Sequence, residues 1–459
     1  MKKRVKIMQS MEHYRELQQK VLFEIAQMAW AGTLEDNIES LPHKLATENS
    51  PLEENLIDGY IRLGLGLSAQ HQEGNLQEAA AKSLNDWEST TKIIETIPGA
   101  CQYCHDKSCD KGCNQGPILC STNNKEDDQC LACGSCIPSC KLNAIVQKGQ
   151  FVPLIGALKQ KEQPVFAIVA PAFVGQFGPK VSIGQLRSAL KYLGFFQVVE
   201  VALFADILTI KEAFEYIHSV QKERDYLITS CCCPAWIKLI ENRFPNLLKH
   251  VAPSVSPMIA GGRVLKKIHQ NIKVVFIGPC IAKKAEAADH DLKGAIDYVL
   301  TFKELKTIFD AVGINPADFP AQENPQSSWG GRVYARTGGV AASMRRTLQR
   351  LEPEHKGTFE SVSLDGIKAC QDGLIKISTN EYIGSFIEGM ACLGGCVGGP
   401  GRIIDTKKAA ELVGEYGDKA EAQNPLENQK IAELLASINQ KFTPDTLADW
   451  GILHRKQLR

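Results

Sequence analysis

The sequence predicts an α/β domain with mainly parallel sheets, preceded by a small cysteine-rich domain and a helical N-terminal segment. Two observations carry this. From about residue 164, short apolar runs rich in β-branched residues alternate with helical stretches, the order that parallel sheets with crossover helices require. And nine of the 16 cysteines crowd between Cys101 and Cys140, in a segment too poor in apolar residues to hold itself together without metal.

The chain has 459 residues and is 44% hydrophobic, enough for one large packed domain with attachments. Its formal net charge is zero, which argues against a nucleic-acid partner and against a polybasic membrane anchor. The basic start, Met1-Lys2-Lys3-Arg4-Val5, runs into Gln9, Glu12, His13 and Arg15 and not into an apolar run. No secretory signal and no membrane-spanning helix is therefore expected, and the expected compartment is cytoplasmic. Reduced thiols there read as metal ligands, not disulfides.

Along the chain, residues 1–97 read as a helical segment: Tyr14, Leu17, Val21, Ile25 and Met28 recur at helical spacing, and Ser50-Pro51-Leu52-Glu53 has the form of a capping box. Its expected role is to pack on its neighbour. Residues 98–150 form the cysteine-rich domain, 151–425 the α/β domain and 426–459 a helical tail. Within the α/β range, Val165 to Ala170, Val198 to Leu203, Tyr226 to Thr229 and Val274 to Ile277 read as strands, and Ile210 to Val220 and Trp236 to Phe244 as helices.

Cys130-x2-Cys133-x2-Cys136-x3-Cys140 has the spacing of a [4Fe–4S] ferredoxin loop, and Cys101-x2-Cys104-x4-Cys109-x3-Cys113 is a stretched form of it. Together they predict a ferredoxin-like domain with two [4Fe–4S] clusters. By the crossover rule of such domains, Cys101, Cys104, Cys109 and Cys140 hold one cluster and Cys113, Cys130, Cys133 and Cys136 the other. Zinc is the rival for CxxC pairs, but the run at 130–140 is not a zinc-ribbon spacing. Lys141 stands where proline usually follows the fourth cysteine. Cys120 is left over as a buried thiol, and His105 reads as a loop histidine.

Three further cysteine groups lie in the α/β range: Thr229-Ser230-Cys231-Cys232-Cys233-Pro234-Ala235-Trp236, Gly278-Pro279-Cys280-Ile281-Ala282-Lys283-Lys284-Ala285-Glu286, and Glu388-Gly389-Met390-Ala391-Cys392-Leu393-Gly394-Gly395-Cys396-Val397-Gly398-Gly399. The first two follow predicted strands directly, where sites collect in open α/β sheets. Pro234 is placed to open a helix. The glycines around Cys396 let backbone approach a bulky group closely. These three motifs, in this order, resemble the signature of [FeFe]-hydrogenases, over about residues 98 to 420, and the third cysteine of the first motif resembles the group B subgroup.

The resemblance implies an H-cluster, a [4Fe–4S] cube joined to a two-iron unit with CO, cyanide and an azadithiolate, that interconverts protons, electrons and H2. It implies Cys233, Cys280, Cys392 and Cys396 as cube ligands, with Cys396 bridging. Counting back from Pro234 selects Cys233 and counting on from Thr229 selects Cys232, so the choice between them stays open. Lys283 would donate to a cyanide, with Glu286 as its partner or a neighbour's. Met390 would pack on the two-iron unit, and Pro279 would lie beside it. Ala170-Pro171-Ala172 and Ser256-Pro257-Met258 match the family's loops around the iron ligands. Cys232, or Cys231 if Cys232 is the ligand, would pass protons, a thiol being suited to this by its ordinary pKa of about 8.5. Glu212 and Glu215, at i and i+3 on a helix, match the family's relay carboxylates, although a solvated helix face is the bland reading.

This chain departs from the common pattern at Met258, Ala172, Gly278 and Ala252. Gly278 is expected to open space near the two-iron unit, and the route of protons to shift toward Ser254, water or Cys231. Cys370 is expected to be a buried thiol. The implied electron partner is a ferredoxin or flavodoxin, and maturation proteins would install the two-iron unit. Two other readings remain: an H2 sensor, and an iron–sulfur electron-transfer or assembly protein that lacks the two-iron unit.

Overall fold

The computed structural model describes residues 2–47, 50–70, 74–104, 113, 130–230, 232–352, 359–438, 443, 446–447 and 450–455. Cys109, Cys120, His105 and Cys231, all singled out above, lie outside them. Two compact units divide the chain, residues 1–162 with 303–315, and residues 163–302 with 316–459.

The first unit is mainly helical. Helices span Lys2–Ala31, Pro51–Gly64, Leu76–Asn85 and Phe151–Gln160, and Val21, Ile25, Leu56, Ile57 and Tyr60 are fully buried. Ser50 stands at the N-cap position of its helix, but its side chain caps nothing. Glu53, the expected reciprocal partner, instead accepts from the Thr47 amide at 2.8 Å and meets His13 at 2.9 Å, so the capping box is not formed. Strands β1 (Ile94–Thr96) and β2 (Ile145–Gln147) pair antiparallel and bracket the cysteine segment at its base. There the buried Lys148 ammonium meets Glu95 at 3.0 Å.

The second unit carries two sheets. One has the order β4-β3-β6-β7, from β3 (Val165–Val169), β4 (Gln197–Glu200), β6 (Lys273–Gly278) and β7 (Tyr298–Thr301). The other has the order β5-β9-β8, from β5 (Leu227–Ile228), β8 (Ser361–Asp365) and β9 (Phe386–Met390). Every strand pair in both sheets is parallel. The alternation of strand and helix read from the sequence is thus the architecture found. Among the described residues no helix is long and apolar enough to cross a membrane.

One strand boundary differs. The run Val198 to Leu203 divides, with β4 ending at Glu200 and a helix running over Val201–Ser219. Val201 to Ala213 are all buried, and a helix buried on every side has no clear period to distinguish it from a buried strand.

This central helix is anchored by Asp206, fully buried, which accepts from Ser328 Oγ and N, Gly331 N and Asn428 Nδ2 at 2.5–2.8 Å. Burial pushes its carboxyl up to about 6, against the pull of those donors. An unfolded Asp titrates near 3.8, so between these values the folded chain holds the proton more tightly. Asp206's contribution to stability is then full below about pH 4 and lost as the pH rises through about 6. The stability difference between wild type and Asp206→Asn is expected to shrink by about 2–3 kcal/mol from pH 4 to pH 7, read by urea unfolding.

A second anchor joins two of the cysteine motifs. Trp236 is buried, donates from Nε1 to the Thr229 carbonyl at 3.1 Å, and lies over Gly389, where an added Cβ would stand 2.3 Å from the indole. Gly389→Ala is expected to cost about 1–3 kcal/mol in the same assay, because Trp236 has nowhere to retreat.

Candidate active site

All three cysteine motifs of the second unit begin where strands end. β5 leads into Thr229-Ser230 and the cysteines, and Pro234 opens the helix Pro234–Arg243. β6 ends at Gly278, followed by Pro279, Cys280 and the helix Ala282–Ala288. β9 ends at Met390 and runs through Cys392 to a single turn at Cys396–Gly398. Close backbone approach ties these loops together. Gly401 N donates to the Pro279 carbonyl at 2.8 Å, and a Cβ on Gly399 would stand 2.5 Å from that same oxygen. Gly394 and Gly395 hold φ of 82° and 89°, a conformation that other residues rarely adopt.

The side chains converge accordingly. Cys233, Cys280 and Cys396 lie within electrostatic reach of one another and of Lys283. Burial pushes the Cys396 thiol up to about 12, and Cys233 and Glu388 add to the shift while Lys283 opposes it. Cys280 and Cys233 move in the same direction for the same first cause. The Ala391 amide stands 3.5 Å from Cys233 Sγ. Cys232 differs, because its sulfur packs 3.5 Å from Met390 Sδ. Cys392 lies on the loop just before Gly394, half-buried, and its carbonyl accepts from Gly395 N at 3.0 Å.

Lys283 is buried, and its Nζ donates to Glu286 Oε2 at 2.7 Å. Burial works against its charge, but Glu286, Cys280 and Cys396 more than offset this and raise its pKa. A set of thiols beside a buried ammonium is what a thiolate-held iron–sulfur cube takes. Among the described residues no three His, Cys, Asp or Glu side chains close around a single metal ion; a cube is larger and keeps its ligands farther apart.

The carboxylates of the Val201–Ser219 helix do not form a solvated face. Glu212 is fully buried and accepts from Thr229 Oγ1 at 2.8 and 2.9 Å and from Ser230 N at 3.3 Å. Glu215, one turn on and partly exposed, accepts from Ser254 Oγ at 3.3 Å. Ser254 links the two sides, since its carbonyl accepts from Ser230 Oγ at 2.7 Å. Ala252 is buried and pairs only through its backbone. Lys211, for which no role was expected, is fully buried, with Nζ on Ser254 Oγ at 2.9 Å and in contact with Glu215. Its signal was available: a lone lysine inside a run of apolar residues.

The remaining loops are placed as follows. Ala170-Pro171-Ala172 turns directly off β3 and is buried, with Ala170 N on the Ile277 carbonyl at 2.8 Å. Ser256 caps the helix Pro257–Ile268 through Ile259 N, and Met258 is buried in its first turn. Gly278 does not open space: a Cβ there would stand 2.6 Å from the Phe276 ring, and Phe276 with Ala170 fills the gap. Cys370 is buried against the carbonyls of Leu364 and Met390, and burial raises its thiol pKa.

In the first unit, Cys136 is buried and its thiol is pushed up to about 12, by burial first and then by Cys133, Cys113 and Cys130. Cys140 Sγ accepts from Ala144 N at 3.2 Å, Cys104 N donates to the Cys101 carbonyl at 3.1 Å, and Cys101 is exposed.

The family described as iron only hydrogenase large subunit, C-terminal domain, matches residues 163–400. The chain belongs to this family. It is 27% identical over 334 residues to the NADP-reducing hydrogenase subunit HndD of Solidesulfovibrio fructosivorans, a match covering 61% of this chain and 57% of that protein. It is 25% identical to the cytosolic Fe-S cluster assembly factor NAR1 of Eremothecium gossypii, over 49% of this chain and 54% of that one. The chain thus spans little more than half the length of these curated relatives. The [FeFe]-hydrogenase HydA1 from Chlamydomonas reinhardtii shares the fold, with a TM-score of 0.54 over 66% of this chain and 98% of that one at 22% identity. The iron-only hydrogenase family and its fold describe this protein as a hydrogenase-like iron–sulfur protein.

Proposed function

We propose that the protein is an [FeFe]-hydrogenase that interconverts two protons and two electrons with H2. Its relatives include an assembly factor as well as hydrogenases, so the choice rests on this chain's own residues. The observation that carries it is the placing of two carboxylates of one helix: buried Glu212 on the hydroxyl of Thr229, which opens the Cys232–Cys233 motif, and partly exposed Glu215 on the Ser254 hydroxyl toward the surface. A cube used only to move electrons, or only to be handed on, needs no proton route.

In this reading Cys233, Cys280, Cys392 and Cys396 hold the cube of an H-cluster. Cys233 is preferred to Cys232 because it groups with Cys280, Cys396 and Lys283, whereas Cys232 packs on Met390. When bound, the two-iron unit supplies the Lewis-acidic centre at which protons and electrons meet. Lys283, held by Glu286, presents a buried donor to an anionic ligand. Met390, Pro279, Met258 and the loop Ala170–Ala172 exclude water. Cys232 exchanges protons at Sγ, with Cys231 beside it, and Glu212 holds the next proton at its carboxylate. The ferredoxin-like domain carries two [4Fe–4S] clusters, one of them on Cys113, Cys130, Cys133 and Cys136, whose mutual influence on Cys136 supports that set. The other falls to Cys101, Cys104, Cys109 and Cys140. A ferredoxin or flavodoxin exchanges electrons with them, maturation proteins install the two-iron unit, and the site of action is the cytoplasm.

Infrared spectroscopy of anaerobically matured protein tests this reading. Metal-bound CO and cyanide bands that shift under H2 are expected. A blank region, with cubes present and the maturation system active on a known hydrogenase, would leave an electron-transfer or assembly protein.

A further inference from the structure

A fourth segment, without a cysteine, backs the third cysteine motif. Residues 335–338 form the turn that leads into the helix Gly339–Leu351, and they meet the motif at three points. The Ala335 carbonyl accepts from Val397 N at 2.9 Å, Thr337 N donates to the Gly394 carbonyl at 3.1 Å, and Gly338 N donates to Glu388 Oε1 at 3.0 Å. A Cβ on Gly395 would stand 2.5 Å from Thr337 N, so the two backbones are pressed together there.

The contacts of Thr337 close on themselves. Its hydroxyl donates to Asp365 Oδ1 at 2.7 Å, and Gly394 N donates to the same oxygen at 2.7 Å. Both polar groups of the Gly394 backbone are thus held by two residues that also hold each other. Asp365 ends β8, where it pairs with Met390 of β9, so this oxygen is carried on the sheet itself. Gly394 and Gly395 lie between Cys392 and Cys396, both at positive φ. A glycine pair has the freest backbone of any two residues and does not keep such a shape unaided. Leu393 is 71% exposed, so apolar packing does little to fix this tip of the loop. Gly395 N on the Cys392 carbonyl closes the turn from inside, and Asp365 with Thr337 clamps it from outside.

We infer that Thr337 and Asp365 are positioning residues for the cube: by holding Gly394 at both its N–H and its carbonyl, they set the spacing of Cys392 and Cys396 and so how firmly those two sulfurs retain iron. Outer partners of metal ligands act on affinity in this way. The clamp works through hydrogen-bond geometry and not through charge, since what Asp365 supplies is one oxygen placed between two donors. This inference rests on the reading of Cys392 and Cys396 as cube ligands and is indifferent to whether a two-iron unit is joined to the cube.

The test uses the full chain carrying its iron–sulfur clusters and follows iron release to the chelator bathophenanthroline in the absence of oxygen. The phase that belongs to the second unit is the one missing from Cys396→Ser. Thr337→Val keeps the shape of the side chain and loses the hydroxyl. In this variant that phase is expected to run about tenfold faster or more, while the remaining phases stay at their wild-type rates. Thr337→Ser returns the hydroxyl and should return the slow phase. Asp365→Ala should release iron as fast as Thr337→Val does, and Asp365→Asn, which keeps an oxygen in the same place, should stay close to wild type. If Asp365→Ala does not fold, the two Thr337 variants decide alone. The inference is overturned if the Cys396-dependent phase is unmoved by Thr337→Val, if all phases quicken together, as a general loosening of the chain would make them, or if Thr337→Ser fails to slow release again. Failure of the cube reading would look different: wild-type protein would show no Cys396-dependent phase, and the inference would fall with it.

Discussion

Lys283→Met is expected to destabilise the protein by about 3–5 kcal/mol, the usual result of stripping one partner from a buried ion pair. Both side chains are nearly sealed from water, 7% and 5% exposed, at 2.7 Å. Without the ammonium, Glu286 must be buried as a lone anion or take a proton. It also stands close to cysteines whose thiolate forms Lys283 favours, since the ammonium pulls down the pKa of Cys233, Cys280 and Cys396. The loss should therefore appear twice, as a lower urea midpoint and as weaker retention of iron per chain. Lys283→Met/Glu286→Gln removes both charges and should regain most of the stability but not the iron. Equal recovery of both would mean that Lys283 serves only its salt bridge.

Glu212→Ala is expected to lower H2 turnover by about 10²- to 10⁴-fold, the range spanned by a positioned acid–base group. Glu212 accepts from both the Thr229 hydroxyl and the Ser230 amide. Stability is also expected to suffer, by about 1–3 kcal/mol, because those donors lose a buried acceptor. Glu212→Gln separates the two effects: it keeps an acceptor oxygen, and so much of the stability, but cannot carry the proton. Turnover in Glu212→Gln near that of wild type, measured as H2 evolution with a chemical reductant, would remove Glu212 from the route.

Much of this was legible beforehand because the signals were local. Cysteine spacing, the proline after Cys233 and the glycines around Cys396 each constrain a few consecutive residues, and the structure sets them at strand ends. The boundary at Glu200 was not legible, because a helix buried on all sides shows no periodicity. Nor was the fate of Glu53, whose partners Thr47 and His13, six and 40 residues back, follow no motif. Gly278 misled for a related reason. A missing side chain reads as space, yet the Phe276 ring two residues earlier occupies it. Lys211 depends on Ser254, 43 residues away, and such pairings are fixed only by the tertiary fold.

The all-parallel sheet β5-β9-β8 has a consequence for the order of events in synthesis. Leu227 pairs with Phe386, roughly 160 residues later, and strands so far apart form slowly because the loop between them must first be closed. A growing chain presents Cys233 long before Cys392 and Cys396 have left the ribosome. The second site can close only once β9 has been made and has paired with β5, so any cluster it holds is received after that stretch has folded.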